Sequence, residues 1–395
     1  MLRNIAYKTK DECCGCAACK NICPVKAISM QPDVLGFPYP VVNDEVCVHC
    51  GLCDKVCVFR PVGPRMNKPL GYALRHKNMD ELVKSQSGGA FAVLSDFILA
   101  LGGVVYGVVF DENFQVIHAR AVNQQERDKM RGSKYVQSIT TECFLQVKED
   151  LKRGLFVLFS GTPCQVANLN SYVGHDLSER LYTLDIICHG VPGPAVWKGY
   201  IDWLQKRYGR LFQAFFRDKK YGWHSCIETF QFADKKVRRH TFRSLFYALV
   251  MLRLNCYKCP YANLNRPADI TIGDFWGWEK LSDEFSDEKG VSLCLVNTEK
   301  GKQMLDAVKD RVELRLCDLE HCLQPNLQYP TKKNPLREQF EVDFAVYGFE
   351  YVARHYGDLN FKSKIKGLIR PVYKFGMSLF GNILNNLKNI HLNIL

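Results

Sequence analysis

Two runs of four cysteines constrain the first sixty residues more than anything else in the chain. Cys13, Cys16, Cys19 and Cys23 stand as C-x2-C-x2-C-x3-C with Pro24 directly behind them, and Cys47, Cys50, Cys53 and Cys57 repeat the spacing. In a reducing cytosol, closely spaced cysteines are metal ligands sooner than disulfides. The register has a chemical reason. A cubane presents four iron corners, and one short loop with three closely spaced thiolates can cap three of them. In a two-cluster arrangement the fourth cysteine of each run reaches across to the other cluster. Cys13, Cys16, Cys19 and Cys57 are therefore expected to hold one 4Fe-4S cluster, and Cys47, Cys50, Cys53 and Cys23 the second. Gly15 and Gly51 suit the tight turns and the close approach of backbone N–H groups to sulfur.

This stretch resembles a bacterial-type two-cluster ferredoxin, including the CPVKAI that follows the first run. One departure is Val58, where that family usually has proline; it leaves all eight ligands in place. Paired zinc knuckles would need only four ligands per ion and would not explain the x2-x2-x3 register. Cys14 falls outside the register and reads as a spare thiol.

At 395 residues the chain has room for two or three folded units, and 47% hydrophobic with 24% charged residues excludes wholesale disorder. No charged-then-apolar leader opens the sequence, and the longest apolar run, Ala90 to Phe110, is broken by Ser95, Asp96, Gly102 and Gly103. It reads as a helix followed by a strand, not a membrane span, so the expected location is cytoplasmic. PVGPRMNKP, from Pro61 to Pro69, reads as a linker. Beyond it, helices are expected at Ala90–Leu101 with Ser87 as a cap, Glu142–Arg153 and Pro194–Tyr208. Strands are expected at Val104–Phe110, Phe156–Phe159, Leu181–Ile187 and Ala268–Ile272, with a hairpin of Thr229–Phe232 and Val237–Phe242. The fold class that follows is an α+β ferredoxin-like N-terminal module ahead of a larger mixed α/β domain. The boundaries are 1–61, 70–350 and a basic, partly amphipathic segment at 351–395.

Four more cysteines sit where strands give way to loops: Cys164 in SGTPCQ, Cys188 in DIICHG, and Cys256 and Cys259 in NCYKCPY. Side chains from several strand ends can converge on a third cluster; buried free thiols are the alternative. QSGGAFAVLSDFIL, RGSKYVQS, SGTPCQVANL, ICHGVP, FRDKKYGWHS and NCYKCPYANLNRPADITIGDFWG follow in this order behind the ferredoxin module. Together they resemble the family of coenzyme F(420) hydrogenase/dehydrogenase beta subunits, which are iron–sulfur flavoproteins, over about Cys13 to Trp278. The resemblance implies a third 4Fe-4S cluster on Cys164, Cys188, Cys256 and Cys259, with Cys226 as the substitute ligand. It also implies FAD and a flavin-binding larger domain, although the chain has neither a G-x-G-x-x-G nor a P-loop. The two glycines of QSGGA, just before a helix, suit a flavin pyrophosphate. Ser87, Gly88 and Gly89 are the first candidates for cofactor binding, with Lys134 as a phosphate or ring contact. A plain turn before a helix is the simpler reading of the glycine pair.

Clusters pass single electrons, and a flavin exchanges these for hydride chemistry. The sequence therefore reads as an iron–sulfur flavoprotein reductase or dehydrogenase, taking electrons from a ferredoxin-like or other acidic redox partner to a small anionic organic substrate. Family context suggests a surface-polysaccharide intermediate as that substrate. The alternatives are an electron-transfer subunit of a larger redox complex, a deazaflavin (coenzyme F(420)) reductase or dehydrogenase, or a redox sensor. His189 and His224 are the candidates for proton delivery. Asp274 can orient a ligand or cap a turn, and Trp223, Trp276 and Trp278 can stack on a ring or simply pack. Lys206 to Arg253 carries twelve Lys/Arg against three Asp/Glu. The Lys235, Lys236, Arg238 and Arg239 hairpin reads most simply as a solvated face, and no nucleic-acid module accompanies the charge. The acid-free tail from Leu359 is a packing or oligomer segment in the simpler reading, and a peripheral contact with an anionic inner membrane face in the other.

Overall fold

The computed structural model describes residues 5–59, 68–280 and 288–359. Most of the expected linker and nearly all of the basic tail lie outside the described residues. Thirteen strands are described: β1 (Ile28–Pro32), β2 (Pro38–Val42), β3 (Leu70–His76), β4 (Val104–Phe110), β5 (Val116–Ala121), β6 (Val157–Gly161), β7 (Leu181–Ile186), β8 (Leu211–Phe215), β9 (Glu228–Phe232), β10 (Lys236–Arg239), β11 (Ile270–Asp274), β12 (Ser292–Val296) and β13 (Val312–Cys317). β1 and β2 form the hairpin of the ferredoxin module. β8, β9 and β10 form a small antiparallel sheet, and the other eight build one large sheet in the order β13-β3-β12-β11-β7-β6-β4-β5.

The centre of the large sheet is parallel: β4 with β6, β6 with β7, and β7 with β11. The flanking pairs are antiparallel. Parallel strands require crossovers, and the helices Cys143–Lys152, Pro163–Val173 and Pro194–Tyr208 lie between them in sequence. Their central strands are correspondingly apolar on both faces, with Val157, Leu158 and Phe159 of β6 all buried. In such sheets, ligands gather in the crevice outside the carboxyl ends of the parallel strands. The turns that follow β6 and β7 there are the ones that carry Cys164 and Cys188.

Two expectations shift. The second hairpin strand ends at Arg239, and Thr241–Tyr247 is helical. Phe242, Leu245 and Phe246 are all buried, and only helical spacing puts all three on one face. The buried Glu228 carboxylate also accepts the Arg243 N–H near the start of that helix. Ser87 does not cap the helix Ala90–Ala100; Gly89 precedes it at a φ of 90°, and the Ser87 hydroxyl donates to Val291 O at 2.6 Å.

Within the ferredoxin module the duplication extends to the backbone. Gly15 and its counterpart His49 both take left-handed φ values, 70° and 50°, and so do Gly51 and its counterpart Ala17, at 72° and 62°. Ala17 and His49 bear the steric cost that glycine avoids, about 1–2 kcal/mol each. The Val58 departure has a use, because its N–H donates to Asn168 Oδ1 at 3.2 Å, a bond proline cannot make.

Gly88 is confined for a reason separate from turn geometry. A Cβ there would stand 2.1 Å from Leu74 O and 2.5 Å from Ser292 N, both backbone atoms of the neighbouring strands. Gly88→Ala is therefore expected to destabilise the large sheet by about 1–3 kcal/mol through overpacking. A thermal melt checks this, and an unchanged midpoint would count against the close packing described.

Candidate metal centres and the adjoining cleft

The structure brings the cysteines together in three groups. Cys23, Cys47, Cys50 and Cys53 line one small cavity with Ile28, Val42 and Gly51. Cys13, Cys16, Cys19 and Cys57 form a second group: Cys57 neighbours both Cys16 and Cys19, and Cys13 neighbours Cys19. Cys164, Cys188, Cys256 and Cys259 line a third cavity, at the carboxyl edge of the parallel strands. Three local devices present its four cysteines. Cys164 sits in the first turn of the helix Pro163–Val173, whose start is fixed by a reciprocal Thr162–Gln165 capping box. Cys188 accepts the Gly190 N–H at 3.4 Å. Cys256 and Cys259 come from a 3-10 turn, Leu254–Lys258, and its end.

The donor set suits iron–sulfur clusters. Each of the three groups offers four thiols, the ligand number a 4Fe-4S cluster takes. Burial, with Cys164 close by, pushes the Cys188 and Cys259 thiols up to about 12. Burial does the same to Cys19, also to about 12. Thiols desolvated in this way ionise only beside a compensating cation, which the iron of a cluster supplies.

Cys14 is not a detached thiol. It lines the third cavity, and its sulfur lies beside both Cys16 and Cys164 while accepting from Asn168 Nδ2 at 3.6 Å. Only its adjacency to Cys13 hinted at this in the sequence. Cys226, the substitute ligand, stands apart from the third cavity and donates to His224 O at 3.8 Å.

A large cleft of about 2010 Å³ opens next to these sites, with Phe110, Trp197, Lys134, Arg217 and Lys219 among its walls. Gln137 borders both this cleft and the third cysteine cavity. Arg217 is held by an ion pair with Asp274 and donates to Trp223 O at 2.8 Å; Trp223 Nε1 in turn donates to Asp274 Oδ1 at 3.1 Å. Asp274 thus orients an arginine at the cleft wall. Arg217 Nε and Gln86 Nε2, both on the cleft lining, are buried with no hydrogen-bond partner among the described residues. Such atoms fit an incoming anionic or carbonyl-bearing ligand.

The remaining candidates divide. Lys134 lines the cleft and donates to Lys129 O and Arg131 O, at 3.1 and 2.9 Å. Ser87 and Gly88 are committed to packing, the Gly88 N–H donating to Ser292 Oγ at 2.9 Å, and neither they nor Gly89 are among the cleft-lining residues. His189 lines the third cavity, half-buried, with its ring 5.2 Å from that of Phe246. His224 is exposed beside Trp223 and Trp276, whose rings stack at 5.0 Å. Trp278 is buried in the core. In the basic zone the hairpin residues Lys235, Lys236 and Arg238 are exposed, Lys236 pairing with Asp218 at 2.6 Å, whereas Lys219 turns inward to donate to Leu82 O, Ser85 O and Ser87 O.

Comparison with known proteins agrees with this layout. Residues 12–60 match the 4Fe-4S dicluster domain, and residues 156–321 match the C terminus of the coenzyme F420 hydrogenase/dehydrogenase beta subunit. Residues 156–321 therefore form a domain similar to the C terminus of coenzyme F420 hydrogenase/dehydrogenase beta subunits, behind a 4Fe-4S dicluster domain. An uncharacterized polyferredoxin-like protein of Methanocaldococcus jannaschii is 34% identical over 71 residues, 15% of this chain and 42% of that protein. One of the subunits of the F(420)H(2) dehydrogenase of Methanosarcina mazei is 23% identical over 184 residues, 43% of this chain and 51% of that protein. The chain spans 25% to 66% of the length of the curated relatives it matches. The F420-reducing [NiFe] hydrogenase complex of Methanosarcina barkeri aligns with 73% of this chain and 91% of its own, at 15% identity and a TM-score of 0.43, too distant to carry a structural argument. Among the described residues, no helix is long and apolar enough to cross a membrane.

Desolvation lowers the Lys134 ammonium to about 7, although the side chain as a whole is only half-buried. A phosphate-bearing ligand in the cleft favours the protonated amine, which predominates below that pH and is lost above it. Pyrophosphate affinity, measured by calorimetry from pH 6 to 8, is therefore expected to fall by up to about tenfold per pH unit above 7. Lys134→Met should flatten that profile; an affinity already independent of pH would remove Lys134 from the site.

Proposed function

We propose that this chain is the iron–sulfur electron-transfer subunit of an oxidoreductase complex of the F420 hydrogenase/dehydrogenase kind, with three cluster sites beside a cleft for a redox cofactor. The observation that carries the reading is the convergence of Cys164, Cys188, Cys256 and Cys259 from three separate segments onto one cavity, with Cys14 of the ferredoxin module on its wall. Buried thiols with no common role would not need to meet across strands β6 and β7 and the Leu254–Lys258 turn.

Cys13, Cys16, Cys19 and Cys57 would hold the inner ferredoxin cluster, Cys47, Cys50, Cys53 and Cys23 the outer one, and the four later cysteines the third. Clusters so held exchange single electrons. The two ferredoxin sites differ in placement. At the inner site Cys16 and Cys19 are buried and Cys13 and Cys57 half-buried, whereas at the outer site only Cys53 is buried and the half-buried Cys47 is flanked by the exposed Val46 and Val48. The outer site is thus the one a ferredoxin-like or other redox protein would approach, and the inner site adjoins the third.

The cleft is the place for FAD. Lys134 and Arg217 would meet its phosphates, and Phe110 and Trp197 offer apolar ring surface. A flavin there supplies the exchange between single-electron and hydride transfer. A volume of about 2010 Å³ exceeds what one ordinary small ligand needs, roughly 300–1,000 Å³, and leaves room for a second aromatic ligand. That favours a second reading, in which a deazaflavin is reduced or oxidised in the cleft of this same chain, as the similarity to the F(420)H(2) dehydrogenase suggests.

Anaerobically purified protein is expected to contain about twelve irons per chain, and Cys188→Ser about eight. Iron, acid-labile sulfide and released flavin are the quantities to measure. About eight irons in both proteins would defeat the third site, and the absence of flavin after reconstitution with FAD would defeat the assignment of the cleft.

A further inference from the structure

Four of the largest fully buried side chains are arginines: Arg127, Arg253, Arg266 and Arg337. Three have carboxylate partners. Arg127 pairs with Asp96 at 2.8 Å, Arg266 with Asp185 at 3.0 Å and Arg337 with Glu341 at 2.8 Å. Arg253 is 0% exposed and pairs with no carboxylate among the described residues. A guanidinium taken out of water without a counter-ion costs several kcal/mol, so its environment has to compensate it in another way.

That environment is the first cysteine run. Arg253 Nε donates to Cys13 O at 2.7 Å, and Nη2 donates to Pro38 O at 2.9 Å and to Cys13 Sγ at 3.6 Å. Nη1 donates to Gln137 Oε1 at 3.0 Å, and the guanidinium lies 4.1 Å from the Tyr39 ring centroid. Behind the side chain, Arg253 O accepts the Cys256 N–H at 3.0 Å. The approach depends on Gly15, since a Cβ there would stand 2.8 Å from Arg253 Nη1. The counterpart position in the second run holds His49, so only the inner site has this arginine.

We propose that Arg253 is the positioning residue that compensates the charge of the inner ferredoxin cluster and sets its reduction potential above that of the outer one. The inference rests on the cluster assignment proposed above. Reduction of a four-thiolate cluster adds one electron and no proton, hence one further negative charge. A fixed cation bonded to Cys13 Sγ stabilises that reduced form more than the oxidised one. Because the same residue hands its carbonyl to Cys256, it also fixes the inner site against the third.

The test is an anaerobic redox titration of the full-length holoprotein, with dithionite as reductant and electron paramagnetic resonance as the readout. Cys47→Ser assigns the outer signal. Arg253→Gln is expected to keep about twelve irons and to lower the inner cluster's reduction equilibrium at least tenfold, about 59 mV for one electron, leaving the other two clusters in place. Arg253→Lys, which keeps the charge and loses the fork, should recover most of that shift. An unmoved inner potential, or an equal shift of all three, overturns the proposal. Where Arg253→Gln loses its irons, the wild-type titration decides, because an inner cluster reduced together with or below the outer one also overturns it. A wild-type protein that binds no cluster would instead defeat the cluster assignment itself.

Discussion

Three side chains of the larger domain take up three carbonyls of the first cysteine run. Arg253 holds Cys13 O at 2.7 Å, Gln137 Nε2 holds Cys14 O at 3.1 Å, and Thr140 Oγ1 holds Cys16 O at 3.0 Å. Each such bond contributes only about 1 kcal/mol net, yet leaving one of these buried carbonyls unmet would cost more than that. Together they fix the loop in its conformation and in its position over the carboxyl edge of the parallel strands. Val58 and Tyr261 close the far side, through Asn168 Oδ1 and Val58 O. The module is therefore built into the larger domain and not merely linked to it, and the distance between the first and third cysteine groups is a property of the fold.

This docking explains why two halves with the same spacing become unlike. Both runs use the same left-handed backbone positions, so their local geometry follows from the motif. Their surroundings do not. One run is covered by Gln137, Thr140 and Arg253, while the other keeps Val46 and Val48 at the surface. Equal ligand sets in unequal dielectric and charge environments take unequal potentials, because burial and hydrogen bonds to sulfur tune a cluster as strongly as its ligands do.

What was legible in the sequence follows the range of the interactions concerned. The cysteine register, the helix Pro194–Tyr208 and strand β4 are set by local spacing, and the structure places them where the pattern did. The family motifs pointed to the third cysteine group, of which Cys164 and Cys188 follow strands as expected, whereas Cys256 and Cys259 stand at a 3-10 turn, Leu254–Lys258, away from any strand end. Cys14, Arg253 and Gln137 could not be read in the same way, since their roles arise from contacts more than a hundred residues apart in the chain. Gly88 misleads for the opposite reason. A glycine pair before a helix looks like an anion cradle, but here the missing Cβ makes room for backbone atoms of Leu74 and Ser292. The hairpin after β9 was extended too far because alternation was counted without the three aromatic and aliphatic groups that a helix buries together.

The basic zone shows how a composition signal changes meaning once it is folded. A net positive stretch suggests a docking face for an acidic partner, yet several of its charges point inward. Arg217 is turned to Asp274, Lys219 to three carbonyls of the segment before the helix Ala90–Ala100, and Arg253 to the first cysteine run. Two of these three border the cleft, and the third reaches Gln137 on the wall it shares with the third cysteine cavity. A buried cation with no carboxylate partner, as Arg253 is among the described residues, would favour a reduced centre beside it, whereas Arg217 is already compensated by Asp274. Most of the positive charge of this segment, Lys206, Arg207, Arg210, Lys235, Lys236 and Arg238 among it, stays exposed, so the composition signal divides between a solvated face and a few cations turned inward.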